Sequence, residues 1–263
     1  MTLLFLLAGC AGLHGSLSNR LPEDTPARIL TLEAQGFTLA AAEHSDAHTP
    51  KTENGRVTIF IEGDGRPWVA GGRRISDNPT PRHTPMLEAF LDTPPPALYL
   101  GRPCYFGMGP AEQCSAALWT FSRYSHRIVD AMAEAARRWL ASQPPDTGVT
   151  LMGHSGGGVL ALLIGERLRA VDRVITYAAP VDIRRWSELH GFTPLFDSIN
   201  PADINTWRSD VSRLLIFGEQ DAEVPPDVFT PAADRIPGAR LVIVPEADHL
   251  PPADLSALEA ATQ

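Results

Sequence analysis

Short apolar runs alternate with helix-like periodic segments along most of the chain. Runs rich in Val, Ile, Leu and Phe predict strands, and apolar residues recurring at intervals of three and four predict helices. Because helical segments separate most of the strands, the pattern predicts an α/β fold with a mostly parallel sheet, helices on both faces and functional residues at the strands' carboxyl ends. The predicted strands are 36–44, 56–64, 96–103, 148–153, 173–180, 213–219 and 239–246, and the predicted helices are 84–93, 117–143 and 159–168.

The first residues have a different pattern. Residues 3–8 form a short apolar run that leads into LAGC, ending at Cys10, and this resembles a bacterial lipoprotein signal, although the run is short and no Lys or Arg precedes it. The resemblance implies a signal at 1–10, acylation of Cys10, a polar tether at 11–30 and a domain at 31–263. It also implies a lipid-anchored location in the bacterial cell envelope, on the periplasmic or outer-membrane side, with membrane contact through that anchor.

Cysteine usage agrees with export from the cytoplasm. The chain has three cysteines. If Cys10 carries lipid, Cys104 and Cys114 remain as a pair that brackets a loop rich in turn-forming residues. We therefore predict a disulfide between these two cysteines, formed in an oxidising compartment.

Length and charge narrow the function classes. The 263 residues suffice for one sizeable α/β domain. The net charge of −9 repels phosphate backbones, so nucleic acid is not an expected partner. The sequence contains neither H-E-x-x-H nor paired C-x-x-C, so neither a metal nor another cofactor is predicted.

The stretch LMGHSGGGVLALLIGERL, residues 151–168, passes from a predicted strand through three consecutive glycines into a predicted helix. It lacks the lysine of a phosphate-binding P-loop and the spacing of a dinucleotide fingerprint. It does contain G-x-S-x-G around Ser155, in the strand–turn–helix setting that this motif requires. We interpret Ser155 as a nucleophile exposed on a sharp turn.

A serine nucleophile needs a base, usually histidine, and an acid that orients the base. Among eight histidines, His249 lies just past the last predicted strand, where a loop can bring the imidazole over the serine; His190 is the alternative. For the acid, Asp221 follows the strand 213–219, and Asp182 is the competitor. The order Ser155, Asp221, His249 is the one expected of an α/β hydrolase.

These three motifs together resemble the α/β-hydrolase family from about residue 36 onward. The family usually carries a His-Gly pair after its third strand, whereas this chain has Glu62-Gly63 in FIEGDGRPW. By position, the resemblance implies that the backbone N–H groups of Gly156 and Asp64 form the oxyanion hole. A carboxylate at Glu62 must then be turned away or paired, and the candidate partners are Arg66, Arg73 and Arg102.

Within the family, IEGDGRPW together with RPC, LWT and RYS is similar to a group of bacterial hydrolase lipoproteins. The resemblance to the α/β-hydrolase family implies a carboxylesterase-like serine hydrolase that cleaves carboxylic esters, or related acyl substrates, through an acyl-enzyme on Ser155. Because the candidate cap is short, we expect an open site and small or medium esters. The alternatives are an acyltransferase or peptidase using the same residues, and a non-catalytic binding lipoprotein on a hydrolase scaffold. Residues 182–208 are the candidate cap, and the candidate walls of the acyl pocket are Trp68, Trp119, Trp186 and Trp207.

Overall fold

The computed structural model describes residues 15–44, 56–108 and 112–251. Its strands are β1 (Ala27–Ala34), β2 (Phe37–His44), β3 (Arg56–Ile61), β4 (Trp68–Val69), β5 (Arg74–Ile75), β6 (Ala97–Leu100), β7 (Gly148–His154), β8 (Val171–Tyr177), β9 (Ser212–Gly218) and β10 (Ala239–Val244). Its α-helices are α1 (Pro85–Asp92), α2 (His126–Leu140), α3 (Gly156–Gly165), α4 (Ile183–Leu189) and α5 (Pro226–Ala233).

Eight of these strands form one sheet in the order β1-β2-β6-β3-β7-β8-β9-β10. The pairs from β6 to β10 are all parallel, whereas β2 is antiparallel to both of its neighbours. Strands β4 and β5 form a separate hairpin. The prediction of an α/β fold with a mostly parallel sheet is therefore confirmed.

The centre of the sheet is apolar along its whole length, as expected for parallel strands that helices cover. Every residue of β7 after Gly148 is buried, and every residue of α3 is buried as well. Helix α3 packs against β7 and β8. The turn between β7 and α3 is therefore held by packing on both of its sides.

Two predicted segments differ from the structure. Residues 27–30 of the expected tether lie in β1, and Leu17 is buried, so the folded unit begins earlier than residue 31. The predicted helix 117–143 is interrupted: a 3₁₀ turn covers Ala116–Trp119, and α2 begins only at His126. The apolar spacing continues through the interruption because this loop is itself buried, and its polar side chains bind another part of the structure.

The cysteine predictions have separate outcomes. The structure contains a disulfide between Cys104 and Cys114, whose Cα atoms lie 5.5 Å apart. Cys10 and the signal at 1–10 lie outside the described residues. Within the described ranges, none of the helices has the length and apolar character needed to span a bilayer.

Candidate active site

The G-x-S-x-G turn holds Ser155 in an unusual backbone conformation. Ser155 has φ 51° and ψ −125°, a strained conformation for a residue with a side chain. The backbone packs so closely that a Cβ on Gly153 would lie 2.3 Å from the Gly157 carbonyl oxygen, and a Cβ on Gly157 would lie 2.2 Å from the Ile61 oxygen. Glycine is therefore required at both positions, and Ser155 stands at the apex of the turn, partly exposed.

The three side chains predicted to act together are joined by hydrogen bonds. His249 Nε2 lies 3.1 Å from Ser155 Oγ, and His249 Nδ1 lies 2.9 Å from Asp221 Oδ2. The carboxylate can only accept at neutral pH, so Nδ1–H donates to Asp221, which leaves Nε2 to accept the Ser155 hydroxyl proton. The residues come from the loops after β7, β9 and β10, so the carboxyl ends of three strands of one sheet supply the site.

The surroundings of Asp221 keep its carboxyl group ionised. Its side chain is fully buried, and burial acts to raise its pKa. The hydrogen bond and charge of His249 and the N–H groups of Val224 and Glu223 act in the opposite direction, so the pKa of Asp221 lies below its ordinary value. Both N–H groups donate to Oδ1 at 2.8 Å, which leaves Oδ2 for His249.

The two alternatives weighed in the sequence have other partners. The Asp182 carboxylate caps α4, accepting the Arg185 N–H at 3.2 Å and the Asn200 side-chain amide at 3.0 Å. His190 Nε2 donates to the Glu223 carbonyl oxygen at 2.8 Å. Neither residue has a hydrogen bond to Ser155 or His249 among the described residues.

His154, inside the turn, has a role that the sequence did not indicate. In the structure the buried imidazole donates from Nε2 to the carbonyl oxygen of His249 at 2.9 Å. Burial lowers the pKa of His154 to about 4, so the ring is neutral at pH 7. Tyr177 donates to the Asp248 carbonyl at 3.0 Å, and the two contacts hold the loop that carries His249.

The loop after β3 crosses directly in front of the turn. A Cβ built on Gly63 would lie 3.5 Å from Ser155 Cβ, and one built on Gly156 would lie 2.0 Å from Asp64 Oδ1. Within residues 15–44, 56–108 and 112–251, the backbone N–H groups of Asp64 and Gly156 have no hydrogen-bond acceptor. Both proposed oxyanion donors therefore lie beside Ser155 with their N–H groups unoccupied.

Asp64 is fixed by a buried cluster, which we call the Asp64 cluster: Asp64, Arg102, Tyr105, Arg123 and Tyr124. Arg123 Nη1 and Tyr124 Oη donate to Asp64 Oδ2 at 2.7 and 2.6 Å, and Tyr105 Oη donates to the Asp64 carbonyl at 2.8 Å. Arg102 Nη1 lies 2.7 Å from Oδ1 in an ion pair with poorly aligned N–H directions. Burial acts to raise the pKa of Asp64, but the two arginines and Tyr124 lower it to about 2.

Glu62 was expected to be turned away or paired with an arginine, and among the described residues it forms no ion pair with Arg66, Arg73 or Arg102. Its carboxyl group accepts backbone N–H groups from Gly63, Met86 and Leu87 at 3.2 to 3.4 Å, the last two at the start of α1. Arg102 is instead paired with Asp64. Burial raises the pKa of Glu62 to about 8, against the lowering effect of those N–H groups. A protonated Glu62 places no negative charge beside the site at neutral pH.

Ser155 opens into a cleft of about 1010 Å³. Residues of the candidate cap line part of it, including Trp186, Phe192 and Leu195. Trp68 also lines the cleft, whereas Trp119 donates to the Ser76 carbonyl in the interior and Trp207 packs over Arg213. No group of three or more metal-binding side chains occurs among the described residues.

Solved structures share this architecture. The chain is similar to a Xanthomonas campestris α/β serine hydrolase without a lid, XC6422, with a TM-score of 0.55, 17% identity and coverage of 91% of this chain and 93% of that one. It is also similar to the Pyrococcus furiosus esterase Pf2001, with a TM-score of 0.59, 14% identity and coverage of 90% and 88%.

A third similar structure is a putative dienelactone hydrolase from Klebsiella pneumoniae, with a TM-score of 0.58, 17% identity and coverage of 87% and 88%. No protein-family model and no curated protein matches the chain. The sheet order, the strained turn at Ser155 and these neighbours agree, and the chain has the α/β-hydrolase fold.

Proposed function

We propose that the protein is a serine hydrolase that cleaves carboxylic esters through an acyl-enzyme on Ser155. The observation that carries the proposal is the unbroken line of hydrogen bonds from Ser155 Oγ through His249 to the buried Asp221 carboxylate. This arrangement activates a hydroxyl group that is otherwise a weak nucleophile. The esterases and hydrolases of the same fold support the same class of reaction.

In the first step, Ser155 Oγ attacks the ester carbonyl carbon while His249 Nε2 accepts the hydroxyl proton. Asp221 stabilises the imidazolium that forms. The N–H groups of Gly156 and Asp64 donate to the carbonyl oxygen as it gains negative charge. His249 then returns the proton to the leaving alcohol, and the acyl group stays on Oγ.

In the second step, a water molecule attacks the acyl carbon, its proton passes to His249, and the carboxylic acid and free Ser155 are released. The His249 side chain is 26% exposed and Ser155 is partly exposed, so water reaches the acyl-enzyme. This exposure favours hydrolysis over transfer to a second acceptor, which requires that water be kept out. The open cleft favours small and medium esters.

Turnover of p-nitrophenyl esters with graded acyl lengths tests this proposal. We expect Ser155→Ala to lose activity on all of them, by about six orders of magnitude in kcat. Ser209, an exposed serine outside the cleft, supplies the matched control Ser209→Ala, which should keep wild-type activity. Wild-type turnover by Ser155→Ala would contradict the proposal.

We also propose that Cys10 is acylated and anchors the mature protein in the bacterial envelope. The support is the apolar run ending in LAGC, followed by polar residues. Several acyl chains anchor a protein stably, whereas one binds only marginally. Cys10→Ser should remove the protein from the membrane fraction or leave an uncleaved precursor. Unchanged fractionation and migration of that variant would contradict the anchor.

A further inference from the structure

Two arginines beside the cleft have no counterion in the part of the chain that the structure describes. Arg66 and Arg82 both line it, and Arg82 is exposed. Among the described residues, neither guanidinium has an ion pair or a hydrogen bond, in contrast to Arg102 and Arg123, which share the Asp64 carboxylate. The charge on Arg66 and Arg82 is therefore available to a ligand.

The same two arginines border a second hollow of about 350 Å³. Its charged lining residues are Arg20, Arg66, Arg74, Arg82 and Asp77, and Asp77 is already paired with Arg74 at 3.2 Å. Arg20 donates to the carbonyl oxygens of Pro81 and Arg82, which fixes the segment that carries Arg82. In a protein of net charge −9, this local excess of arginine is not a consequence of composition.

The carboxyl groups near this basic surface do not neutralise it. Glu62, which also lines the cleft, has its pKa raised to about 8 by burial. The Asp64 carboxylate is already paired with Arg102 and Arg123. Glu223, in the loop after β9, lines the cleft, and its carboxylate lies 4.0 Å from His190 Nε2. The remaining carboxylate on the segment between Arg66 and Arg82 is Asp77, which is already paired with Arg74.

A separate part of the cleft is apolar. Trp186, Phe192 and Leu195 from the candidate cap line it together with Leu250. Phe192 is 50% exposed and Leu250 is 49% exposed, so their apolar surfaces are accessible to a ligand in the cleft. Phe192 packs on Trp186 with ring centroids 5.1 Å apart. One cleft thus offers Ser155 both an aromatic surface and a basic one.

We propose that the preferred substrates are esters that carry an anionic group, phosphate or carboxylate, at one end and an apolar chain at the other. Arg66 and Arg82 bind the anionic group, and Trp186 and Phe192 bind the apolar chain. Guanidinium groups suit this role because their planar donors match carboxylate and phosphate oxygens. The assignment of a substrate rests on the proposed ester hydrolysis at Ser155.

A matched pair of esters tests the substrate class. The two are p-nitrophenyl hydrogen adipate, which has a free carboxylate, and its methyl-capped neutral analogue, methyl p-nitrophenyl adipate. We expect the wild type to prefer the anionic ester in kcat/KM, and Arg66→Gln with Arg82→Gln to lower that preference about tenfold. Arg73→Gln changes an exposed arginine outside both hollows and should leave the rates on both esters unchanged. An unchanged preference in the double variant overturns the proposal.

Binding to Ser155→Ala separates this proposal from the catalytic one. We expect octyl phosphate to bind this variant more tightly than octyltrimethylammonium does, and to lose that affinity when Arg66 and Arg82 are also replaced by Gln. Inorganic phosphate that bound as tightly as octyl phosphate would overturn the assignment of the apolar chain. Failure of the wild type on every ester, with arginine-dependent binding intact, would overturn ester hydrolysis but leave the anion site standing.

Discussion

Two polar networks meet beside Ser155, and they differ in how their charges are enclosed. The first, Ser155–His249–Asp221, has a fully buried acid at one end and a partly exposed hydroxyl at the other. Its middle member, His249, faces the cleft. The proposed chemistry requires a proton to pass between Ser155 and His249 while Asp221 stays ionised.

The second network, the Asp64 cluster, is enclosed in the protein interior. The side chains of Arg102 and Arg123 are only 3% and 4% exposed, and both form ion pairs with Asp64. Tyr105 and Tyr124 complete the contacts of the same residue. No member exchanges a proton near neutral pH, so the cluster fixes the position of the Asp64 N–H. Similar residue types thus allow proton transfer in the first network and fix the backbone around Asp64 in the second. Removing a charge should therefore reduce activity in the first network and stability in the second.

The largest expected effect is on activity, at Asp221. Asp221→Asn removes the acceptor that fixes the His249 tautomer, and we expect kcat to fall by about four orders of magnitude. Asp182→Asn is the matched control, because Asp182 caps α4 away from His249. Kinetics on one activated ester, together with a urea melt of each variant, distinguish lost activity from lost folding. A larger loss in Asp182→Asn would move the acid to the loop after β8.

The next effect is on stability, at Asp64. Asp64→Asn leaves Arg102 and Arg123 buried without a counterion, and breaking a buried pair in this way costs about 3–5 kcal/mol. Asp77→Asn breaks the exposed pair with Arg74 and should cost less than about 1 kcal/mol. Urea titrations of the wild type and both variants measure these losses in the free energy of unfolding. Equal losses for the two variants would contradict the difference between an enclosed and an exposed network.

A third effect depends on pH, at Glu62. Its pKa of about 8 in the folded protein exceeds the ordinary value of 4.5, so the folded state keeps a proton that the unfolded chain releases. The stability that this proton provides is complete below pH 4.5 and is lost as the pH rises through 8. The facing groups are neutral His154, Tyr99 and the Arg102 cation.

The side chain introduced by Glu62→Gln has nearly the same shape as a protonated glutamate, but it does not titrate. Its stability relative to the wild type should rise by about 1.4 kcal/mol per pH unit between pH 5 and pH 8. Urea titrations of both proteins at several pH values measure this difference. A difference that did not change with pH would mean that Glu62 is ionised in the folded protein.

The smallest effect is at the Cys104–Cys114 disulfide, which contributes no charge to either network. Cys104→Ser with Cys114→Ser should lower the free energy of unfolding by about 2–3 kcal/mol, because the bond closes a loop of about ten residues in the unfolded chain. The reduced wild type should lose the same amount. Free thiols in protein from an oxidising compartment, seen by mass spectrometry without reductant, would contradict the bond itself.

The sequence predicted the first network but only the outline of the second. Ser155, Asp221 and His249 each follow a clear strand signal, and parallel strands bring their carboxyl ends together, so chain order sufficed. The Asp64 cluster joins three loops whose mutual approach leaves no local pattern. For the same reason 117–143 was predicted as one helix: Arg123 and Tyr124 keep a helical spacing but bind Asp64 from a loop.

Two further features could not be predicted from the sequence. The first residues of β1, 27–30, lie within the predicted tether because the residues of this strand only partly alternate between apolar and polar positions. Glu62 was expected to be turned away or paired with an arginine, because nothing in the sequence places the start of α1 against its side chain. Its N–H partners, Met86 and Leu87, are more than twenty residues away along the chain.

Labelling with a fluorophosphonate, followed by mass spectrometry of the peptides, tests the central claim most directly. Only a serine activated by a base reacts at an appreciable rate. We predict an adduct on Ser155 in the wild type and in Asp182→Asn, a much slower adduct in Asp221→Asn, and none in Ser155→Ala or His249→Ala. An unlabelled wild-type protein, or an adduct on a serine other than Ser155, would contradict the account.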